Sequence, residues 1–193
     1  MKKYLASSKY INFDDPSILS LAKRLAKNCS SENEIIRKCF EYVRDEIKHS
    51  SDFKLNPVTC KASDVLLHKT GYCYAKSHLL AALLRANSIP TGLCYQRLSI
   101  GDSGEAPYCL HGLNAVYLQG HGWYRMDARG NKEGVNAQFL PPKEQLAFPI
   151  QSKNERDLPE IWAEPLEIVI RSLESHKTYD QVLANLPDVD LIG

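Results

Sequence analysis

Hydrophobic residues recur every three or four positions in the first half of the chain, which is the period of an amphipathic helix. Asp15 and Pro16 can cap and begin the first such helix. Ser31, with Glu34 three residues later, forms a capping box for a second helix. The apolar positions of the two predicted helices are Ile18, Leu21, Ala22, Leu25, Ile36, Phe40, Val43 and Ile47.

The third predicted helix is the most apolar part of the chain and lies near its centre. We expect Gly71 to let the backbone turn sharply, which places Cys73 in the first helical turn, and Pro90 to stop the helix. Its single buried face is predicted to contain Leu79, Leu80, Leu83 and Leu84. Before this helix, residues 48–61 are expected to form a loop and 63–67 a short helical turn.

Strand patterns follow the central helix, and helical patterns return in the tail. The expected strands are 91–100, 109–118 and 123–128, and the expected tail helices are 165–173 and 178–186. The last two strands form a hairpin, an exposed turn is expected at 101–107, and the second tail helix is expected to be capped. The order indicates an α+β fold, in which a central cysteine-bearing helix packs on an antiparallel sheet between N-terminal and C-terminal helices.

Length and composition fit one globular domain. With 193 residues, of which 44% are hydrophobic and 24% charged, the chain can bury a core of its own. A net charge of +1 gives no reason to expect nucleic acid or an anionic membrane as a partner. No apolar stretch follows the N-terminal lysines, and the longest apolar run, 79–84, is too short for a bilayer. We therefore expect a single cytoplasmic domain of residues 1–193.

The chain contains six cysteines, at positions 29, 39, 60, 73, 94 and 109. Without a secretory signal, reduced thiols are expected in place of disulfides. The sequence holds no Cys-x-x-Cys motif, and its only close Cys/His pair is Cys109 with His111. A structural zinc site is therefore not expected, nor is any other metal or organic cofactor.

Cys73 is the candidate nucleophile. At the start of a helix, unpaired backbone N–H groups and the positive end of the dipole favour an anion, and hence a thiolate. The alternative interpretation is an ordinary small, buried cysteine of the core. A nucleophilic cysteine also needs a base and a third group that orients the base.

The predicted hairpin can supply both of these groups. Folding its second strand back brings the region of Asp127 opposite His111, where opposed Cβ atoms lie about 4.5–5.5 Å apart. We expect an Asp127–His111 hydrogen bond, although each residue taken alone could be an ordinary core, surface or turn residue. His78 lies about 140° round the helix from the thiol, and His121 sits in the turn itself. Asn114 faces away from His111 because its offset along the strand is odd.

Several motifs around these residues resemble the transglutaminase-like superfamily of cysteine enzymes. The family usually has Gly-x-Cys at a helix start with a later Ile-Pro, a His that opens a strand, and Trp-x-x-x-Asp on the next strand. The matching stretches are Gly71-Tyr-Cys73-Tyr-Ala-Lys76, Ile89-Pro90, His111-Gly-Leu-Asn-Ala-Val-Tyr-Leu and Gly122-Trp-Tyr-Arg-Met-Asp127. The matching core covers about 40–130, and a helical extension of about 160–187 follows it.

The resemblance implies a papain-like α+β arrangement with a Cys-His-Asp triad. In it Cys73 would be the nucleophile, His111 the general base and acid, and Asp127 the group that holds the imidazole. It also implies attack on an amide of a protein, a peptide or a small molecule to give a thioester. Water would open the thioester in an amidase or peptidase, and an amine would open it in a transamidation. Besides the Cys73 N–H, a second oxyanion donor is expected from the 49–60 loop.

The sequence departs from the family pattern beside the histidine and beside the aspartate. The common His-Ala-Trp-x-Glu is replaced by residues 112–115, Gly-Leu-Asn-Ala, and the usual Pro and Thr after the aspartate by Ala128 and Arg129. These changes are expected to alter the substrate groove. Its apolar wall is expected to include Tyr72, Tyr74 and Trp123, unless these aromatic residues belong to the core.

Two other functions remain open on the sequence alone. One is a protein- or peptide-binding module that keeps the fold without catalysis. The other is an acyltransferase of the arylamine type, which uses the same triad to move an acyl group from a thioester donor. Both retain the three residue types, so the sequence does not separate them from an amide-directed enzyme.

Overall fold

The computed structural model describes residues 1–101 and 105–189 of the chain, so the predicted turn at 101–107 lies partly outside the described residues. Its helices are a 3-10 helix at Lys2–Leu5, α1 (Pro16–Ala26), α2 (Glu32–Glu46), α3 (Ser50–Phe53), α4 (Ala62–His68), α5 (Cys73–Ala86), α6 (Glu167–Glu174) and α7 (Tyr179–Ala184). Its strands are β1 (Lys48–His49), β2 (Thr70–Gly71), β3 (Thr91–Ser99), β4 (Tyr108–Leu118), β5 (Gly122–Met126), β6 (Gln138–Leu140), β7 (Lys143–Gln145) and β8 (Arg156–Asp157). No helix of the described residues is long and apolar enough to cross a lipid bilayer.

The first two helices begin at the predicted caps. The Asp15 carboxylate accepts a hydrogen bond from the Ser17 N–H at 2.9 Å, directly ahead of α1. The Ser31 hydroxyl accepts one from the Glu34 N–H at 3.3 Å, at the start of α2. Local side-chain chemistry thus fixes where the two helices start.

The central helix α5 is buried on every side, whereas the sequence predicted a single buried face. All residues from Cys73 to Arg85 are buried. The helices α1, α2 and α4 contact α5, and so do the strands β3 and β4. Polar residues can enter this core because they form hydrogen bonds; Arg85, for example, donates to the carbonyl groups of Thr91, Ala6 and Ala163.

The main sheet has the strand order β5-β4-β3-β8, with antiparallel pairing throughout. The predicted hairpin is confirmed, since β4 and β5 pair from Leu118↔Gly122 to Asn114↔Met126. One face of the sheet packs on α5. The other face carries a smaller apolar cluster of Cys94, Leu113 and Ala115, against which Trp123, Leu146 and Ile161 pack.

Residues 48–61 do not form the continuous loop that the sequence predicted. They begin with β1, which pairs in parallel with β2, and continue into α3. A two-residue strand is too short to produce a detectable alternation of polar and apolar positions. The pairing His49↔Gly71 brings the start of this segment beside the approach to α5.

Gly71 does not form the sharp turn that was predicted. It lies in the extended strand β2, and the left-handed backbone conformation falls instead on Lys69, with φ of 55°. A Cβ atom at Gly71 would lie 3.1 Å from the Thr59 hydroxyl and 3.2 Å from the Ala75 Cβ. Glycine therefore avoids tight contacts with Thr59 and α5 here, and it does not turn the chain.

The C-terminal helices α6 and α7 occupy the two predicted segments. Thr178 does not cap α7 through its side chain. The Asn56 side chain accepts a hydrogen bond from the Tyr179 N–H at 2.7 Å instead, so the helix start is satisfied from a distant loop. After α7, the Pro187 carbonyl accepts a hydrogen bond from the Leu110 N–H at 2.7 Å, which holds the tail against β4.

Candidate active site

Cys73 is the first residue of α5 and lines a cavity of about 250 Å³. Its side chain is 7% exposed, so the thiol is buried but accessible from that cavity. The other lining residues are His49, Ser51, Tyr72, Tyr74, Leu98, Ser99, Gly101, Cys109, Leu110, His111, Arg129, Phe148, Pro149, Gln151, Glu155, Leu183 and Leu186. The position at a helix N-terminus is the one the sequence predicted.

Gly112 allows β4 to approach the start of α5 very closely. Its backbone N–H donates a hydrogen bond to the Cys73 Sγ atom at 3.4 Å. A Cβ atom at Gly112 would lie 2.9 Å from the Cδ1 atom, 3.0 Å from the Cα atom and 3.2 Å from the backbone nitrogen of Tyr74, so one of the two residues would have to shift. The departure from the family pattern at this position therefore has a direct steric role.

His111 contacts both Cys73 and Asp127. Its Nε2 atom lies 2.7 Å from the Asp127 Oδ2 atom, and the ring is close enough to Cys73 for the thiol to influence its pKa. Burial alone would lower the pKa of His111, but the negative charge of Asp127 and the adjacent Cys73 raise it to about 10. The ring is therefore held as an imidazolium across the neutral pH range.

Asp127 directly follows β5 and is fully buried, so its carboxylate does not contact water. Besides His111, its carboxylate accepts hydrogen bonds from the Arg129 N–H at 3.0 Å and the Ala147 N–H at 3.1 Å. Burial would raise the pKa of Asp127, but the positive charge of His111 and these hydrogen bonds lower it. The carboxylate is thus fixed in place as an anion.

The hairpin register explains how these two residues meet. Since Asn114 pairs with Met126, the next step along the two strands brings Leu113 opposite Asp127. His111 lies two residues before Leu113, on the same side of β4, so it reaches Asp127 diagonally. The structure thus brings together all three residues that the sequence nominated: Cys73, His111 and Asp127.

A second group of polar residues, of which His49 and Arg129 are buried and line the cavity, was not found by sequence reasoning. His49 is 6% exposed and lines the cavity; its Nδ1 atom lies 3.1 Å from the Ser51 hydroxyl. Asp52 forms ion pairs with Arg129 at 2.5 Å and with Lys132 at 2.9 Å. Burial and the positive charge of Arg129 hold the pKa of His49 well below its usual range, so this ring is neutral. Only the pairing of β1 with β2 reveals the group, and no sequence period marks that pairing.

The rejected candidates lie elsewhere. The Nδ1 atom of His78 is 2.7 Å from the Cys60 carbonyl in the core. His121 contacts Tyr124 near the β4–β5 turn, and Asn114 donates hydrogen bonds to the Ser77 and Gly92 carbonyls. None of these three side chains lines the cavity.

The predicted aromatic wall is partly correct. Tyr72 and Tyr74 line the cavity, one on each side of Cys73 in sequence. For Trp123 the alternative of a packing role holds, because its ring packs against Tyr4 and Tyr117, with centroids at 4.7 Å and 5.6 Å. The β4–β5 pairing turns this side chain away from the cavity; Phe148 closes the wall instead, with its ring 5.1 Å from His111.

All six cysteines are free thiols. Burial raises the pKa of Cys39, Cys60, Cys94 and Cys109 to about 12. These four are therefore protonated and unreactive at neutral pH. Within residues 1–101 and 105–189, no group of three His, Cys, Asp or Glu side chains is arranged to hold a metal ion.

A cysteine at the start of a buried helix, next to a His–Asp pair on an antiparallel sheet, defines a papain-like α+β protein. The family model described as the transglutaminase-like superfamily matches residues 19–128, more than half of the chain. The chain belongs to the transglutaminase-like superfamily.

One solved structure agrees with this fold. A protein from Cytophaga hutchinsonii, described as a "putative cysteine protease", superposes with a TM-score of 0.52 at 22% identity, over 65% of this chain and 40% of its own. The periplasmic domain of TgpA from Pseudomonas aeruginosa has a TM-score of 0.48 at 20% identity, over 65% of this chain and 45% of its own. The chain thus spans less than half the length of these two structures. No curated protein matches it.

Proposed function

We propose that the protein is a thiol-dependent enzyme that transfers acyl groups from amides to water or to an amine. Cys73 is the nucleophile, His111 the acid and base, and Asp127 the group that orients His111. The observation that carries the proposal is the placement of Cys73 and His111 on the wall of one cavity, with Asp127 hydrogen-bonded to His111 at 2.7 Å. A cysteine, a base and an orienting carboxylate within hydrogen-bond reach are what nucleophilic catalysis requires.

The proposed reaction begins with attack of the Cys73 thiolate on the amide carbonyl carbon. As the C–S bond forms, the carbonyl π electrons move to the oxygen, and the oxyanion that results is stabilised in part by the Cys73 N–H. Because Nε2 of His111 is bonded to Asp127, Nδ1 is the nitrogen that faces the thiol. It gives its proton to the leaving amine as the C–N bond breaks, which leaves a thioester.

Deacylation reverses these roles. His111, now neutral, takes a proton from water or from an incoming amine as that nucleophile attacks the thioester carbonyl. Collapse of the second tetrahedral intermediate breaks the C–S bond and restores the thiolate and the imidazolium. The apolar side chains of Tyr72, Leu110 and Phe148 beside the thiol favour an acyl group with a hydrophobic part, from a protein, a peptide or a small amide.

Alkylation by iodoacetamide, followed at each cysteine by mass spectrometry, tests the nucleophile. We expect Cys73 to react at least about tenfold faster than the four cysteines whose thiols are held protonated. His111→Ala should slow the reaction of Cys73 about tenfold or more, because the imidazolium no longer stabilises the thiolate. The half-buried Cys29, outside the site, serves as the internal control and should react equally in both proteins.

Substrate turnover completes the test. Fluorogenic peptide amides, with and without an added primary amine, should yield hydrolysis or amine incorporation that Cys73→Ala abolishes. Slow and uniform alkylation of all six cysteines, unchanged by His111→Ala, would contradict the proposal and favour a binding module instead.

A further inference from the structure

His49 lies beside the proposed nucleophile because of a strand pairing. It pairs with Gly71 in the β1–β2 ladder, two residues before Cys73. Its ring meets the Tyr72 ring edge-on, with centroids 5.4 Å apart, and both rings line the cavity that contains Cys73. The ring is therefore part of the wall next to the reacting sulfur, although it does not belong to the Cys-His-Asp path.

The neighbours of His49 contact one ring nitrogen, Nδ1, and leave the other, Nε2, without a hydrogen-bond partner among the described residues. Its Nδ1 atom contacts the Ser51 hydroxyl at 3.1 Å and lies 3.9 Å from the Asp52 carboxylate. Among the described residues, the Nε2 atom has no hydrogen-bond partner. The neutral ring carries one N–H, and we assign the Ser51 hydroxyl as the donor to Nδ1, which puts that N–H on Nε2.

The proposed reaction needs such a donor. Attack on a carbonyl creates an oxyanion next to the sulfur, and pre-arranged donors in a water-poor site stabilise it most effectively. The Cys73 N–H, at the first position of α5, supplies one donor. Arg129 also lines the cavity, but both of its Nη atoms donate hydrogen bonds to Asp52, so they do not serve as the second donor.

Building on the proposed function, we propose that His49 donates its Nε2–H to the oxyanion of the tetrahedral intermediate, as the partner of the Cys73 backbone N–H. A neutral donor suits this role, because a second imidazolium beside His111 would repel the positive charge on which the thiolate depends. Ser51 is a positioning residue in this arrangement, since its hydroxyl, as the donor to Nδ1, leaves the proton on Nε2.

Two reactions of the same thiol distinguish stabilisation of the oxyanion from reactivity of the nucleophile. Acylation by p-nitrophenyl acetate passes through an oxyanion, whereas alkylation by iodoacetamide displaces iodide and forms none. Both rates are measured in the wild type, His49→Phe, which keeps the flat ring but has no donor, and His49→Gln, which keeps an N–H. Cys73→Ala gives the background rate for the ester. Gln151→Ala removes the amide of Gln151, another potential donor that lines the cavity.

For His49→Phe we expect acylation to fall about 100-fold, the usual cost of one oxyanion donor, while alkylation stays within about threefold of the wild type. His49→Gln should recover most of the lost acylation rate, and Gln151→Ala should have little effect. The ratio of the two rates is the readout, because a merely structural role for His49 would lower both rates together.

Three results would overturn the inference: an unchanged ratio in His49→Phe, equal losses in His49→Phe and His49→Gln, or a loss of acylation in Gln151→Ala instead. A wild type in which Cys73 is neither selectively alkylated nor acylated would be a different failure. It would remove the proposed function, and with it the role of His49.

Discussion

At the scale of single residues, the distance between the proposed nucleophile and its proposed base depends on a missing side chain. Gly112 follows His111 directly, and its N–H reaches the Cys73 sulfur at 3.4 Å. Because the space for a Cβ atom is taken by the backbone of Tyr74, any other residue here pushes β4 away from α5. The imidazole, one residue earlier, would move with the strand.

Gly112→Ala is therefore expected to damage the site and the fold together. Overpacking of this kind costs about 1–3 kcal/mol of stability, which urea unfolding can measure. Alkylation of Cys73 in the folded variant should slow at least about tenfold, since small displacements in active sites have large effects on rate. A variant that kept the wild-type alkylation rate would show that the close approach of β4 is not what positions the base.

At the scale of elements, the sequence predicted the helices and strands that are long enough to show a hydrophobic period. The period of the leucines in α5 and the alternation in the β4–β5 hairpin predicted where Cys73, His111 and Asp127 come together. Burial of α5 on all sides could not be predicted, because Lys76 and His78 within it look like surface residues until their hydrogen bonds are seen.

The strand β1 could not be predicted because it is short. Its pairing partner is distant in sequence, and two residues carry no period. His49 therefore had no signal that would distinguish it from a loop residue. The segment from 138 to 157, with the short strands β6, β7 and β8, gave no pattern either, although Phe148 within it completes the cavity wall.

The buried Lys76 joins the helices α2 and α5. Its ammonium donates hydrogen bonds to the Arg44 carbonyl at 3.3 Å and to the Ile47 carbonyl, at the C-terminal end of α2. A cation there is favoured by the helix dipole. Burial, and then the charge of Arg129, nevertheless lower the pKa of Lys76 to about 7. The lysine thus links the two helices at a cost that depends on pH.

The lowered pKa of Lys76 predicts that the stability of the wild type depends on pH and that Lys76→Met loses this dependence. The native state of the wild type binds a proton at Lys76 less readily than the unfolded state, so the free energy of unfolding should rise from about pH 7 towards pH 10. The slope is at most about 1.4 kcal/mol per pH unit, and Lys76→Met should lack it.

Urea unfolding at a series of pH values measures this slope as the difference between the two proteins. Taking the difference cancels the contributions of His111 and the buried cysteines, which Lys76→Met retains. Lys38→Met, on the exposed side of α2, is the matched control. If Lys76→Met and Lys38→Met gave the same pH profile, the lowered pKa of Lys76 would not be the source of the pH dependence.

At the scale of the whole molecule, the cavity is built from two parts of the chain. Cys73, His111 and Asp127 all lie within the matched family region, residues 19–128. Part of the opposite wall comes from Leu183 and Leu186, outside that region. The tail that carries them is held by the Arg97–Asp188 ion pair at 2.7 Å and by the Pro187 carbonyl.

This division predicts that the tail sets selectivity while the family region sets reactivity. Leu186→Ala should lower the preference for a p-nitrophenyl hexanoate over the acetate several-fold, because each buried methylene contributes about 0.8 kcal/mol. Alkylation of Cys73 by the small iodoacetamide should stay close to the wild-type rate.

The kinetics of the two esters, compared as kcat/KM, check the prediction. Ile168→Ala is the control, because Ile168 is a half-exposed aliphatic residue of α6 that does not line the cavity. An equal effect of Leu186→Ala on both esters would show that the tail does not contact the acyl chain.

The origin of this wall also has a consequence for synthesis. A ribosome releases the N-terminal parts of a chain first, so the sulfur, the imidazole and the carboxylate emerge well before Leu183 and Leu186. A nascent chain can hold these three groups while one side of the cavity is still open to water. The proposed nucleophile is thus made before the enclosure that we propose selects its substrates, and translation through the tail completes that enclosure.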